Sequence, residues 1–196
     1  MKSLKFTLAV AALAVVSAPS VAQQLGGNDG QDFITAVQKR DGDKATELAD
    51  KHPTIIDTKD ENGDTGLIIA IRGDDPDWTG FLLRKGADPN LQGAGGDTPL
   101  ITAARTGFDE SVPWLLSLGA KVDGTNRKGE TALIIAVQQR DSRMVKLLLD
   151  AGADPDRSDN VAGYSARDYA ARDARSRDIL KLINDKKPKA ASTAAK

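Results

Sequence analysis

The residues of this chain that could most readily do chemistry are its carboxylates. The 196 residues include 28 acidic side chains, but one histidine and no cysteine. A pair of carboxylates roughly 5–10 Å apart can hydrolyse a glycosidic bond, so a carboxylate-based hydrolase is one function to weigh. However, the acidic residues follow no recognisable catalytic spacing, and the chain shows neither a Gly-rich phosphate loop after a strand nor a nucleophile elbow. The pattern therefore favours a protein that is not an enzyme.

One acidic segment, residues 60–64 (Asp-Glu-Asn-Gly-Asp), is similar to part of a calcium-binding loop. Such a loop needs a carboxylate at its first position and a bidentate glutamate at its twelfth. Counted from Thr58, those positions hold Thr58 itself and Ile69. The segment is better explained as the tip of a β-hairpin, and we expect no metal there.

His52 precedes Pro53 at a predicted helix end, where a cationic or capping role is favoured over catalysis. The absence of cysteine excludes disulfides, thiol catalysis and cysteine-ligated metal. We therefore expect no cofactor and no metal.

The first 22 residues have the pattern of a secretory signal. Lys2 and Lys5 give a positive start, residues 6–16 are apolar apart from Thr7, and small residues end at Ala22. We expect cleavage after Ala22 and a location in the periplasm, with secretion as the alternative. An uncleaved anchor is less favoured, because the apolar run is about half of the roughly 20 residues that a membrane span needs.

The charge of the chain points to no nucleic acid and no membrane surface. The net charge is −1, and loss of the two signal lysines makes it −3 for the mature chain. We expect a monomer with no stable membrane insertion after cleavage.

Two landmarks recur along the chain with one period. The first begins at Gly63, Gly96 and Gly129, each followed by an acidic residue, Thr and an apolar run, in steps of 33 residues. The second is a Leu-Leu pair followed three residues later by Gly, at residues 82–86, 115–119 and 148–152. Such a period is typical of stacked repeats, since one unit cannot bury its apolar face alone.

Each unit can be read as two helices and a turn. The Thr before the apolar run can cap the first helix by accepting from backbone N–H groups. The Gly after the Leu-Leu pair ends the second helix, where a left-handed residue is favoured.

The motifs Gly-Asp-Thr-Pro-Leu at 96–100, Gly-Ala-Asp-Pro-Asn at 86–90 and Gly-Ala-Asp-Pro-Asp at 152–156 resemble the ankyrin-repeat family. The resemblance implies an all-α fold, an α-solenoid of about five helix-turn-helix units linked by short β-hairpin loops. The expected parts are a signal at 1–22, a flexible leader at 23–30, a divergent cap at 31–59, full repeats at about 60–92, 93–125 and 126–158, a C-terminal cap at 159–185, and a Lys-rich tail at 186–196.

The chain departs from the family pattern in a few places. The family usually has His after the Leu of its Thr-Pro-Leu motif, where this chain has Ile68, Ile101 and Ile134. Pro113 predicts a second helix that begins late, and Arg140 replaces a common Gly between helices.

Two aromatic residues fall in the second helices, Trp78 and Trp114. Aromatics at helical spacing are mostly core residues, and we expect that role for both, with binding through an exposed edge of Trp78 as the minor alternative.

The resemblance implies a binding surface on the concave side, made of hairpin tips and first helices. One row precedes each first helix: Asp64, Asp97, Glu130 and Tyr164. A second row lies eight residues further on: Arg72, Arg105, Gln138 and Arg172. The hairpin tips add Lys59, Glu61, Asn62, Arg127 and Lys128.

Both rows have a structural alternative, since acids near a helix start and bases near its end also stabilise the helix dipole. The function implied by the resemblance is a non-catalytic protein–protein interaction module of the periplasm that binds a partner protein on the concave face. A secreted effector acting on a host, or less plausibly a hydrolase, are the alternatives.

Overall fold

The computed structural model describes residues 28–186. The predicted signal at 1–22, most of the leader and the tail after Lys186 lie outside the described residues. The described part contains ten α-helices in five consecutive pairs. They are α1 (Asp29–Lys39), α2 (Gly42–Lys51), α3 (Gly66–Arg72), α4 (Pro76–Arg84), α5 (Pro99–Thr106), α6 (Ser111–Ser117), α7 (Ala132–Gln139), α8 (Ser142–Asp150), α9 (Ala166–Arg172) and α10 (Arg177–Asp185).

Short hairpins connect the pairs. Isolated antiparallel bridges join Lys59 to Thr65, Thr125 to Thr131 and Ser158 to Ser165. In the second full repeat a 3₁₀ turn (Ala94–Gly96) takes the place of the bridge. Five helix pairs with hairpin links confirm the all-α solenoid expected from the 33-residue period.

The first helices start where the sequence predicts. The hydroxyls of Thr65, Thr98 and Thr131 each accept a hydrogen bond from the backbone N–H three residues later. In the last repeat, Ser165 and Asp168 form a reciprocal capping box. These caps satisfy N–H groups that a helix start leaves without partners.

Three of the five second helices are capped by aspartates, whereas α6 and α10 have no side-chain cap. Asp41, Asp75 and Asp141 accept from the first turns of α2, α4 and α8. Helix α6 has no side-chain cap and begins at Ser111, two residues later than the register of α4 and α8 places it. The late start predicted from Pro113 is confirmed.

Two arginines take a left-handed conformation between paired helices. Arg40 (φ 60°) and Arg140 (φ 61°) stand where Gly107 (φ 75°) stands in the second full repeat. Each arginine reaches an aspartate of the next repeat: Arg40 lies 2.6 Å from Asp75, and Arg140 lies 2.6 Å from Asp173. Both arginines therefore combine an unfavourable backbone φ with a side-chain ion pair to the following repeat.

The core lies between the layer of first helices and the layer of second helices, and includes Leu82, Leu115 and Leu148 of the second helices. Ile68, Ile101 and Ile134 are fully buried, which confirms that apolar packing replaces the histidine usual in the family. In α7, all six residues from Ala132 to Val137 are buried.

At the N-terminus, α1 starts at Asp29, two residues before the expected boundary at 31. The Asp29 side chain pairs with His52 at 3.0 Å, and this contact helps to hold the first turn.

The two tryptophans differ, and the expectation that both are core residues is wrong for Trp114. Trp78 is 9% exposed, whereas Trp114 is 37% exposed. Trp114 contacts Phe108 edge-on, with ring centroids 6.4 Å apart. It lies on the outer side of α6, where no further helix layer covers it among residues 28–186.

Successive hairpins approach each other through their backbones. The N–H of Asn160 donates to the carbonyl of Lys128 at 2.8 Å. A Cβ on Gly129 would lie 2.8 Å from the backbone nitrogen of Asn160, and Gly129 also has a positive φ of 76°.

Within residues 28–186, every helix is too short or too polar to cross a membrane.

The close approach at Gly129 gives a stability prediction. Gly129→Ala should lower the free energy of unfolding by about 2–3 kcal/mol, because a left-handed alanine is strained and its Cβ overlaps the next hairpin. Gly163→Ala is the matched control: Gly163 has a similar φ of 71° but nothing within 4 Å of an added Cβ. Urea unfolding of both variants should show the larger loss for Gly129→Ala, and equal losses would contradict the close approach.

Candidate functional site

The predicted site residues come together on the inner surface, which we define as the hairpins and the first helices α1, α3, α5, α7 and α9. The two rows are not separate strips. Three of the four pairs predicted eight residues apart make direct contact: Asp64 with Arg72, Asp97 with Arg105 and Tyr164 with Arg172. The inner surface therefore carries ion pairs and a cation–π pair instead of one acidic and one basic stripe.

Asp64 is almost completely buried and joins two repeats. Its side chain is 2% exposed and lies 2.6 Å from the Arg72 guanidinium, which is 54% exposed. Its other oxygen accepts from the backbone N–H of Ala94 in the next hairpin at 2.8 Å. The hydrogen bond to Asp64 raises the pKa of Arg72 above its ordinary value. Asp64 thus fixes both the following hairpin and the direction of Arg72.

A larger polar network surrounds the second pair. Arg105 contacts both oxygens of Asp97, at 2.9 and 3.3 Å, and lies 3.9 Å from Glu130 of the next repeat. The Asn126 amide donates to Asp97 at 2.8 Å and to Glu130 at 2.9 Å. Asn126 is 7% exposed. It was not among the predicted site residues, although its hairpin position was a signal that could have identified it.

The last two repeats replace the ion pair by aromatic contacts. The Arg172 guanidinium lies 4.1 Å from the ring centroid of Tyr164, a favourable cation–π distance. Tyr164 in turn contacts Tyr169 edge-on, with ring centroids 5.6 Å apart. The Tyr169 hydroxyl donates to Asp159 at 2.6 Å, and this bond raises the pKa of Tyr169 to about 12.

The side chains at the hairpin tips are exposed. Lys59, Glu61, Asn62, Arg127 and Lys128 all lie at the surface. Asn62 is held locally, because its backbone and side-chain N–H groups both donate to Asp60. The tips therefore add exposed charge beside the arginines of the inner surface.

This geometry bears on the choice between binding and helix electrostatics. Threonine hydroxyls, and not the acidic row, accept from the first turns of α3, α5 and α7. Asp64, Asp97 and Glu130 instead contact residues of their own or neighbouring repeats, and their side chains are 2%, 21% and 14% exposed. The three acidic side chains therefore have structural contacts besides any interaction with the helix dipole, while Arg72 and Arg105 remain half-exposed.

The segment similar to a calcium loop is a hairpin. Asp60 accepts from the backbone N–H groups of Asn62 and Asp64, both at 2.9 Å. Burial raises the pKa of Asp60, but these hydrogen bonds outweigh it and the pKa is lowered. Within residues 28–186, no group of three or more histidine, aspartate or glutamate side chains is placed to hold a metal ion.

The pKa of Asp109 is raised above its ordinary value. Burial and the nearby charge of Asp141 raise the pKa of Asp109, while Arg143 lowers it. Asp141 is occupied as the cap of α8, and Arg143 contacts Asp109 at 2.8 Å. These three residues join the second-helix ends of adjacent repeats, which is a structural task.

Stacked helix pairs with hairpin links define the class of the protein, a helical-repeat solenoid. The chain matches the family described as "Ankyrin repeats (3 copies)" over residues 33–126, 67–159 and 118–193. Since these matches cover most of its length, the chain belongs to the ankyrin-repeat family. A comparison with the curated proteins finds no match.

Asp64 provides a test of the structural role of the acidic row. Asp64→Ala should lower the free energy of unfolding by about 2 kcal/mol, because the Ala94 N–H loses its acceptor and Arg72 loses its partner, whose own contribution is reduced by solvent. Glu61→Ala, at the exposed tip of the same hairpin, should change it by less than about 0.5 kcal/mol. Equal effects in urea unfolding would show that Asp64 is an ordinary surface carboxylate.

Tyr169 provides a test at alkaline pH. Because folding raises the pKa of Tyr169 from its ordinary value of 10.0 to about 12, its contribution to stability is complete below pH 10 and is lost as pH rises through about 12. Tyr169→Phe has no proton to lose, so its stability should fall less steeply across this range. Unfolding measured at several alkaline pH values checks this, and parallel curves for the two proteins would contradict it.

Proposed function

We propose that this chain is a non-catalytic protein-binding module of the bacterial periplasm that holds a partner protein against its inner, concave surface. Ankyrin repeats indicate a protein–protein interaction module. The particular surface, the periplasmic location and the chemistry of the partner are parts of the proposal.

The observation that carries the proposal is that the arginine side chains of the inner surface are held in place and are still exposed. Arg72 and Arg105 are each held by a carboxylate eight residues earlier, yet their side chains remain 54% and 45% exposed. Arg172 is held over Tyr164 in the same relative position. Holding a long side chain in place before binding lowers the entropy lost on association.

The exposed guanidinium groups suggest the chemistry of the partner. Arginine N–H groups that are not used by Asp64 and Asp97 can donate to carboxylates in a bidentate manner. Arg127 and Lys128 add exposed positive charge at the neighbouring hairpin tip. We infer that the partner presents aspartate or glutamate side chains, or a chain carboxylate, to this surface.

Location in the periplasm is supported by the sequence of residues 1–22, with its lysines, apolar run and small residues. A folded repeat array without cysteine also suits an oxidising compartment, because it needs no disulfide for stability and has no thiol to oxidise.

Affinity capture from periplasmic extract tests the proposal. A triple variant with Arg72, Arg105 and Arg172 changed to Gln should recover the partner with a yield reduced about tenfold or more, since charged hydrogen bonds contribute about 1.5–3 kcal/mol each. The matched control changes Arg143, Arg177 and Lys181 to Gln. It removes the same charge from second helices and should leave the yield unchanged.

Three outcomes oppose the proposal in different ways. Equal recovery by both triple variants would show that the inner surface does not bind the partner. A partner that remains bound after its acidic residues are changed to amides would contradict the proposed chemistry. Appearance of the protein in the medium, instead of the osmotic-shock fraction, would favour the secreted-effector alternative.

A further inference from the structure

The second helices carry a groove that the proposed function does not use. It lies between α4 and α6, on the side of the repeats opposite the inner surface, and has a volume of about 620 Å³. Its lining includes Pro76, Gly80 and Leu83 from α4, and Trp114, Ser117 and Leu118 from α6 and the residue after it. Trp114 is 37% and Leu118 is 52% exposed.

Helix α6 differs in composition from the other second helices. Its seven residues, Ser-Val-Pro-Trp-Leu-Leu-Ser, contain no charged side chain, whereas α2, α4, α8 and α10 each contain at least two. α6 is the middle one of the five second helices. An uncharged strip with an exposed tryptophan at the centre of a charged layer is typical of an interaction surface.

The charges of α4 indicate what covers this strip. Asp77 is in the first turn of α4 and Arg84 is its last residue. Both side chains line the groove and both are exposed. Seven residues correspond to two turns, so the two charges lie on one helix face, roughly 10 Å apart along the axis. Within the described residues, neither makes a salt bridge within 4.0 Å, whereas Arg72 and Arg105 on the inner surface both do.

A helix with an acid and a base on one face is complementary in charge to a second copy of itself that lies antiparallel to it. When two copies of α4 lie antiparallel across a twofold axis, each Asp77 faces Arg84 of the other copy, and the pairing occurs twice. The axis then passes near Gly80, which has no side chain of its own and lies beside the Arg84 guanidinium. Trp114 occupies the position of Phe81 one repeat later, so it also lies near the axis.

The neighbouring helices limit the extent of this self-complementarity. Helix α8 has the same spacing with the charges exchanged, since Arg143 stands at the first position and Asp150 at the second. Both already have partners in their own chain: Arg143 pairs with Asp109, and Asp150 pairs with Lys146 and Lys186. The terminal second helices α2 and α10 have aspartate at both positions, 43 and 50 or 178 and 185, and would repel their copies. The complementary part is therefore the middle of the layer, around α6.

We propose that this chain forms a twofold dimer through the groove between α4 and α6, with Asp77 of each copy facing Arg84 of the other and Trp114 at the centre. The sequence predicts a monomer, and the exposure of Trp114 and Leu118 is the observation that favours the dimer. The inner surfaces remain open in the dimer, so it is independent of the partner proposed above.

Charge exchange tests the dimer with little dependence on the stability of the variants. Asp77→Arg places two arginines opposite each other, and Arg84→Asp places two aspartates, so each variant alone should sediment as one chain. An equimolar mixture restores both opposite-charge contacts and should sediment as two chains. The wild-type chain from Gln23 onward should show a mass that rises with concentration to that of two chains.

Two further variants complete the experiment. Glu61→Arg is the matched control, because Glu61 is an exposed acid at a hairpin tip and lies outside the layer of second helices, and it should dimerise like the wild type. Trp114→Ala should weaken self-association at least tenfold, since aromatic residues near the centre of an interface contribute most. Circular dichroism establishes that each variant is folded.

The proposal is overturned when the wild-type chain sediments as one chain at all concentrations, or when the mixture stays monomeric although both variants are folded. It is also overturned when Asp77→Arg alone dimerises like the wild type. A groove that binds a helix of another protein instead would give the first of these results. Failure to find a partner for the inner surface would change none of these sedimentation results. The dimer and the proposed function can therefore fail separately.

Discussion

The burial of each first helix by the neighbouring repeats is the interaction on which the rest of this structure depends. α7 has eight residues, of which Ala132 to Val137 are all buried. A helix of this length is unstable alone, and α8 can cover only one of its sides. The remaining sides are covered by α5 and α9. The terminal first helices have one neighbour fewer, and α9 accordingly buries only Ala166 and Ala170. The period of 33 residues is therefore a requirement of packing, because each unit must present the same apolar surface to the next one.

Stacking also decides the role of the charges on the inner surface. Once first helices pack closely, successive hairpins come within hydrogen-bond distance, as the contact from Asn160 to Lys128 shows. The last hairpin residue then faces the next hairpin, and a carboxylate there can accept its N–H, as Asp64 does from Ala94. The same carboxylate orients an arginine one helix length away. Under the function proposed above, stability and recognition would share residues on this surface, because the arginine that a partner would contact is positioned by the bond that holds the repeats together.

The sequence predicts the elements well and the contacts between repeats less well. The Thr caps, the buried Ile68, Ile101 and Ile134, and the late start of α6 follow from local rules, since each depends on residues within one or two turns. The pairing of Asp64 with Arg72 was missed because eight residues along a helix do not suggest contact until the hairpin geometry is known. Also missed was a ladder in which Asp57, Asn90 and Asp123 accept from backbone N–H groups 31 residues later. The exposure of Trp114 could not be predicted for a similar reason, because helical spacing shows which residues share a face and not which faces lack a neighbour.

The two surfaces of the array differ in where their charges find partners. On the inner surface, Asp64 and Asp97 are satisfied within the chain, so the surface is complete before any partner arrives. On the outer surface, Trp114 packs against Phe108, but Trp114 and Leu118 remain exposed. A dimer through this strip gives the apolar residues a role, and it places two inner surfaces on opposite sides of one particle. Each dimer would then bind two copies of the partner, one on each inner surface.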